Sequence, residues 1–322
     1  MTETPRDIFP RDPSLIFMGT PEFAVPTLEA LIHNGSNILA VVTQPDRRKG
    51  RGRKMAVSPV KELALKHHIE LLQPDRVSDQ AFCDLIQEKA PDLIIVVAFG
   101  QILGKGLLDI PRFGAINIHA SLLPEYRGAA PIQRVIMDEE SVTGLTVMRM
   151  DEGLDSGPVL FQEEVPVLED ETAGQLHDRL SVKAGDLMVG SLKRMAGKPI
   201  KETAQDDSRA TYACKIGRDI ALIDWGQSAA NVSAHIRGLD PWPGAYTTID
   251  GKAIKLFSSR VLDENLSDTL PGKVIVEERN IRVETGKGLI EVGEIQYPGR
   301  KRLSSGDFLR GFTIPEGTTL GK

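Results

Sequence analysis

The sequence predicts an α/β N-terminal domain built on a Rossmann-like parallel sheet, followed by a smaller domain built as an antiparallel β-barrel. Three observations predict it. Apolar runs of strand length alternate with helical patterns through the first half; a polar stretch without a clear period, 197–209, follows a long helical pattern; beyond it the pattern changes to short strands with turn signals. At 322 residues the chain also exceeds the size at which one hydrophobic core usually stops growing, which agrees with two domains.

Ser14 to Met18 is the first strand-like run. Gly19-Thr20-Pro21 punctuates it, and Phe23, Val25, Leu28, Leu31 and Ile32 recur at helical spacing, so a strand, a tight turn and a helix follow one another. The turn lacks the full G-x-G-x-x-G fingerprint and is read as a strand-to-helix turn, with no dinucleotide role. Further strands are expected at Ile38 to Val42, Leu93 to Ala98 and Ala115 to Ile118, with helices at Val60 to His67 and Phe82 to Ile86. Strands that are nearly all apolar are buried on both faces, which implies a parallel sheet covered by helices.

Thr172 to Met195 reads as a long helix that ends the first domain, 1–200. Residues 201–210 are expected to be the linker, and 211–322 the second domain. That domain opens on a helical pattern around Ala229 to Ile236. Asp250-Gly251, between the β-favouring segments of Tyr246 to Lys255, marks a tight hairpin, and strands at Gly272 to Val276, Asn280 to Glu284 and Gly288 to Ile295 complete the barrel.

Composition excludes several classes. Hydrophobic residues at 41% and charged residues at 26% are ordinary globular usage. The two cysteines, Cys83 and Cys214, form neither a disulfide framework nor a metal-ligand cluster, so a reducing compartment and no metal are expected. The first residues, MTETPRDIFPRDPS, have no basic start and apolar run of a secretory signal, and Leu93 to Phe99 is far short of the roughly 20 residues that cross a bilayer. A cytoplasmic protein is expected. The net charge of -6 argues against a general nucleic-acid coat, so any such contact must be local. One local feature stands out: Arg47, Arg48, Lys49, Arg51, Arg53 and Lys54 place six positive charges in eight residues, with two glycines that keep the segment mobile. A run of this kind is either a solvated loop or a phosphate-binding one.

The segment Gly114 to Gly128 places Asn117 and His119 two apart on a strand, so both side chains leave on one face. An amide can donate to a developing oxyanion and a histidine can move protons near neutral pH, which are the parts of acyl transfer. The same spacing suits a buried polar pair closing a turn. The loop Met150 to Pro158 is able to bring Asp155 to the end of the same sheet, where a carboxylate would hold the histidine tautomer. Asp151 and Asp155 equally suit a turn.

Asn117, His119, the tetrapeptide Ser121-Leu122-Leu123-Pro124, and Asp155 in its Gly-Leu-Asp-Ser-Gly setting together resemble the signature of the formyltransferases that use 10-formyltetrahydrofolate. The resemblance runs from about Leu15 to Phe312. Met18-Gly19-Thr20-Pro21 with Phe23-Ala24-Val25-Pro26, Gly128 to Gln133, and Pro241-Trp242-Pro243-Gly244-Ala245 resemble the members of that family acting on methionyl-tRNA. It implies catalytic roles for Asn117, His119 and Asp155 and a folate-contacting loop at Ser121, Leu122, Leu123 and Pro124. Phe99 and Gly100 resemble the loop lining the pterin pocket, where many relatives carry tyrosine at the position of Phe99; plain core packing is the other account of that ring. Ser156 stands where threonine is common and keeps the hydroxyl.

The basic run resembles the loop that approaches the acceptor end of tRNA, and the second domain resembles an OB-like module supporting the tRNA, with Lys252, Lys255, Arg300, Lys301 and Arg302 as candidate contacts. The implied reaction moves a formyl group from 10-formyltetrahydrofolate to the amino group of initiator methionyl-tRNA, carried out by a monomer. The choice between His119 and Asp155 as base is left open. Family members acting on a small amine, such as a nucleotide or an amino sugar, and a hydrolase releasing formate share the catalytic residues; the basic run and the second domain with Trp242 favour tRNA. A noncatalytic RNA-binding protein on the same scaffold has no need of all three catalytic side chains.

Overall fold

The computed structural model describes residues 8–49 and 54–321, with the backbone alone at Arg48, Lys49 and Lys54. By contact the described residues form two units. One comprises those up to Gly128 with Gly144–Val165 and His177–Tyr212; the other comprises Ala129–Thr143, Pro166–Leu176 and the residues from Ala213 onward. Residues 201–210, read from the sequence as a linker, lie within the first unit.

In chain order the elements are β1 (Ser14–Gly19), α1 (Val25–His33), β2 (Asn37–Val42), β3 (Arg47–Lys49), β4 (Lys54–Ala56), α2 (Pro59–Lys66), β5 (Leu71–Leu72), α3 (Gln80–Lys89), β6 (Leu93–Val97), α4 (Lys105–Leu108), β7 (Ala115–His119) and β8 (Arg127–Gly128). Then come α5 (Pro131–Met137), β9 (Val142–Arg149), β10 (Val159–Pro166), α6 (Ala173–Met195) and β11 (Tyr212–Ala213).

The main sheet of the first unit has the order β10-β9-β7-β6-β1-β2-β5. Strands β1, β2, β5, β6 and β7 pair in parallel. Their apolar runs are buried: Leu15, Ile16, Phe17, Met18 and Ile94 are fully enclosed, as strands covered on both faces require. The expected parallel sheet is extended on one side by an antiparallel strand: β9 runs antiparallel to β7, with Asn117 opposite Met148 and His119 opposite Thr146. The sequence reading missed β9 and β10 since Val142–Arg149 carries Gly144 and two threonines in place of an unbroken apolar run. Gly144 is there for space: a Cβ would run into the Glu163 carbonyl oxygen and the Leu122 side chain.

In the second unit α7 (Ala229–Gly238) packs on a six-stranded antiparallel sheet of β12 (Tyr246–Ile249), β13 (Lys252–Asp263), β14 (Val274–Glu277), β15 (Asn280–Glu284), β16 (Leu289–Gln296) and β17 (Arg302–Ser304), before α8 (Ser305–Gly311). Asp250 and Gly251 both take positive φ, 48° and 71°, as the tight turn between β12 and β13 demands. The path β12-β13-β16-β15-β14 is joined at its ends by the C-terminal segment. Val274 N–H donates to the Thr318 carbonyl (2.9 Å), Leu320 N–H to Gly272 (2.8 Å) and Gly321 N–H to Thr248 (2.9 Å). Inside lie Ile249, Leu256, Val283, Ile290 and Val292, with Ile236 and Leu239 from the α7 side. Arg302 is committed to structure, making two bonds to buried Asp240 at 2.6 and 2.9 Å and a further pair with Glu294.

His235 on α7 is largely buried, and its Nε2 has no hydrogen-bond partner among the described residues. Burial first, then the Arg134 charge, hold its pKa below the ordinary imidazole value. The fold therefore favours the neutral ring. Below about pH 6.5 the unfolded chain takes up a proton that the folded chain resists, so stability is lost as the pH falls from there to the folded value. Thermal unfolding midpoints should drop between pH 7.5 and 5.5, and His235→Gln should make that drop smaller; an equal drop in both proteins counts against the assignment. In the first unit, Gly144→Ala should cost about 1–3 kcal/mol through overpacking, read from urea midpoints.

Candidate active site

Strand β7 presents Asn117 and His119 on one face by the two-residue period of extended chain. His119 is 6% exposed. Its Nε2 lies 2.8 Å from the Tyr126 carbonyl oxygen. A carbonyl only accepts, so this nitrogen carries the proton and the tautomer is set. The other nitrogen, Nδ1, faces Asp155 Oδ2 at 3.6 Å, a charge contact longer than a hydrogen bond. Asn117 is half-buried.

Asp155 sits in the left-handed region, φ 51°. Its Oδ2 accepts the Gly128 N–H at 2.8 Å. The neighbouring acid does a different job: Asp151 accepts from Gly153 N–H (3.0 Å) and from the Ser156 hydroxyl (3.0 Å), closing the loop on itself. Of the two acids, Asp151 makes the turn and Asp155 is turned to the histidine. Gly157 is required here, because a Cβ would strike the Arg149 carbonyl.

Ser121 to Pro124 follows β7 directly. The Thr146 hydroxyl donates to the Ser121 carbonyl (2.7 Å) and accepts from Leu123 N–H (3.1 Å), while Gln162 Nε2 donates to the Leu123 carbonyl (2.8 Å). The loop is thus pinned to β9 and β10. One strand away, β6 leads into Phe99 and Gly100; Val96 of β6 pairs with Asn117. The Phe99 ring is 3% exposed and packs in the core with Ile16, Met18 and Leu103, while its carbonyl accepts the Thr20 hydroxyl at 2.9 Å. A cleft of about 630 Å³ opens at the C-terminal ends of β1, β2 and β6, with Thr20, Gln44, Arg47, Phe99 and Gly100 in its lining. This is the switch point of the sheet, where α/β folds bind ligands. Asn117, His119 and Asp155 are not among the lining residues of that cleft.

The basic run begins at the cleft. Strands β3 and β4 pair in register, Arg47 with Ala56 and Lys49 with Lys54, so the arms of the segment expected to be mobile form a hairpin; Arg51 and Arg53 lie outside the described residues. Arg47 is exposed at the cleft, with Nη2 3.5 Å from Gln44 Oε1. The foot of the hairpin is held by Asp46: Lys61 Nζ donates to its Oδ2 (2.6 Å) and Gln73 Nε2 to its Oδ1 (3.0 Å) and to the Gln44 carbonyl (3.0 Å). The Lys61 bond first, then the Gln73 bond, holds the Asp46 carboxyl below its ordinary range. Among the described residues no group of three or more His, Cys, Asp or Glu is arranged to hold a metal.

Sequence reasoning missed Thr146, Gln162, Arg127 and Gln205. Arg127 is 4% exposed and bonds Gln205 Oε1 through Nε (3.1 Å) and Nη2 (2.8 Å), and Asp207 through Nη2 (2.7 Å). Burial opposes its charge, and the bonds to Asp207 and Tyr212 outweigh that effect, so the guanidinium stays charged. The place of Arg127 within the Gly114 to Gly128 segment was the one available signal; Gln205 sits in a stretch without a period.

Residues 14–192 match the family model for formyl transferase, and residues 215–313 that for the formyl transferase C-terminal domain. The chain is 49% identical over 310 residues to the methionyl-tRNA formyltransferase of Geobacter sulfurreducens, covering 96% of each chain. It is 48% identical over 302 residues to that of Clostridium novyi, covering 93% of this chain and 97% of the relative. Among solved structures it shares its fold with the sugar 3N-formyl transferase WlaRD, at 18% identity and a TM-score of 0.65 over 90% of this chain and 99% of that one. HypX from Aquifex aeolicus aligns at a TM-score of 0.63 and 18% identity over 95% of this chain, which spans half of HypX. The chain belongs to the formyl transferase family, among the methionyl-tRNA formyltransferases.

Proposed function

We propose that this chain transfers the formyl group of 10-formyltetrahydrofolate to the α-amino group of initiator methionyl-tRNA, giving N-formylmethionyl-tRNA for translation initiation. The observation that carries the reading is the arrangement on β7: a half-buried amide at Asn117 on the same strand face as a histidine whose Nδ1 faces Asp155 at 3.6 Å. An amide beside a proton-transfer pair fits a formyl carbonyl, which needs a donor where negative charge grows.

10-Formyltetrahydrofolate supplies an activated formyl group and a nitrogen leaving group. Asn117 donates to the formyl oxygen as it gains charge. The amine attacks as the neutral base, so its proton must leave. Nε2 is held by the Tyr126 carbonyl, and proton transfer therefore runs through His119 Nδ1 and Asp155, with one proton taken from the amine and one returned to the departing nitrogen. Ser121, Leu122, Leu123 and Pro124, with Phe99 and Gly100, are the residues we assign to the folate. No metal enters this chemistry as we assign it.

Arg47, Arg48, Lys49, Arg51, Arg53 and Lys54 position phosphates at the acceptor end of the tRNA with little base reading of their own. The concentration of positive charge in an otherwise acidic chain, and the place of Arg47 at the cleft where the paired strands β3 and β4 begin, support this. We take the enzyme to act in the cytoplasm as a monomer; no helix among the described residues is long and apolar enough to cross a membrane.

The test follows formyl-methionine formation from 10-formyltetrahydrofolate and charged initiator tRNA, with uncharged tRNA and free small amines as controls. Transfer to the charged tRNA is expected; transfer only to small amines, or release of formate alone, overturns the reading. Asn117→Ala, His119→Ala and Asp155→Ala should each lower kcat by about 10²–10³-fold, and near-normal kcat in all three defeats the catalytic assignment. Arg51→Ala with Arg53→Ala should weaken the tRNA interaction and reduce its log–log salt slope by roughly 1–2. An unchanged slope removes the loop from the tRNA contact.

A further inference from the structure

The segment from Thr203 to Tyr212 lies along the loop that follows β7 and reaches the anchors of both proton-transfer residues. Tyr126 N–H donates to the Thr211 hydroxyl (2.8 Å) and Arg127 N–H to the Thr211 carbonyl (2.9 Å), so the residue whose carbonyl holds His119 is itself held by this segment. Gln205 reaches the other anchor. Its Nε2 donates to the Asp155 carbonyl (2.8 Å) and the Gly157 carbonyl (2.7 Å).

The orientation of this amide follows from chemistry. Arg127 has only donors, so it must meet Gln205 Oε1, and the amide nitrogen is left to face the loop. Both of its hydrogens find carbonyls there. Those carbonyls belong to the strained residue itself and to the residue two positions on: Asp155 is held at φ 51°, a conformation that side-chain-bearing residues rarely adopt and that surrounding bonds must maintain. Nothing in the local sequence announces this. Gln205 falls between residues 192 and 215, the interval that neither family model matches.

We propose that Gln205 is a positioning residue for formyl transfer, its amide clamping the Asp155 main chain so that the carboxylate stays on the Gly128 N–H and beside His119 Nδ1. Arg127 sets the clamp by fixing which end of the amide faces the loop. The proposal rests on the formyl-transfer reading above. Gln205 touches no substrate in this role and acts through Asp155 alone.

Gln205→Ala removes the clamp; Gln205→Glu keeps the volume and the Arg127 contact but loses both donors. Each should lower kcat by about 10–100-fold, the usual range for a residue that orients a catalytic group, while KM for folate and for tRNA changes by less than about 3-fold. In an Asp155→Asn background, Gln205→Ala should cost less than about 3-fold, because the carboxylate it serves has already been disabled. Equal losses in both backgrounds, or wild-type kcat in folded Gln205→Ala, overturn the proposal. Should Gln205→Ala not fold, Gln205→Glu carries the same comparison. Amide hydrogen exchange of residues 153–157, measured without substrate, should quicken in Gln205→Glu, and unchanged exchange counts against the clamp. That arm separates the two ideas: a wild-type chain that formylates no tRNA defeats the proposed function, while the exchange rates still decide the clamp.

Discussion

The site depends on one hydrogen bond, from His119 Nε2 to the Tyr126 carbonyl. Because a carbonyl cannot donate, the bond commits one ring nitrogen as a donor and leaves Nδ1 on the side of Asp155. In the proposed reaction the histidine then moves protons at that edge, and Asn117, two residues back on the same face, is left to meet the formyl oxygen. Tyr126 itself has φ 59°, so the accepting carbonyl is presented by a backbone conformation that the surrounding hydrogen bonds must sustain. The Thr211 contacts supply that support.

A rigid part and a bonded part divide the labour. Strands β1, β6 and β7 are packed on both faces and place Asn117 and His119 with the precision of a core. The loops beside them are fixed by polar bonds: Ser121 to Pro124 by Thr146 and Gln162, Asp155 by the Gly128 N–H and Gln205, the foot of the basic hairpin by Asp46 and Lys61. Hydrogen bonds are directional, so loops held this way keep orientation more than volume. Substitutions in the sheet are expected to act first on stability, and those among the bonding residues on geometry.

Charge is distributed with similar economy. The chain carries a formal net charge of -6, and several of its cations are already paired: Arg302 with Asp240 and Glu294, Lys61 with Asp46, Arg127 with Asp207. Arg302, a candidate tRNA contact from sequence, is bonded to Asp240 and Glu294 within the barrel. Lys255 donates to the Pro243 carbonyl at 2.6 Å and Lys252 lies over the Tyr297 ring at 5.7 Å. The concentrated positive charge that borders the cleft is the β3–β4 hairpin.

The sequence by itself determined the elements whose signal is local. Periodicity marked β1, β2, β6 and β7, the two-residue period put Asn117 and His119 on one face, and Asp250-Gly251 marked the hairpin of the barrel, because each rests on neighbours within a few positions. Composition alone suited Asp151 and Asp155 equally to a turn, and the resemblance carried by the Gly-Leu-Asp-Ser-Gly setting pointed to Asp155. The tertiary structure shows how the two differ, through a left-handed backbone at Asp155 and a bond to Gly128, 27 positions earlier in the chain. It also decided that β9 runs against β7, that the C-terminal segment joins the ends of the barrel sheet, and that Gln205 reaches Asp155 across 50 residues. A period records which face of an element is buried; a polar bond between distant residues leaves no period, so these positions take their meaning only from the fold that brings their partners within 3 Å.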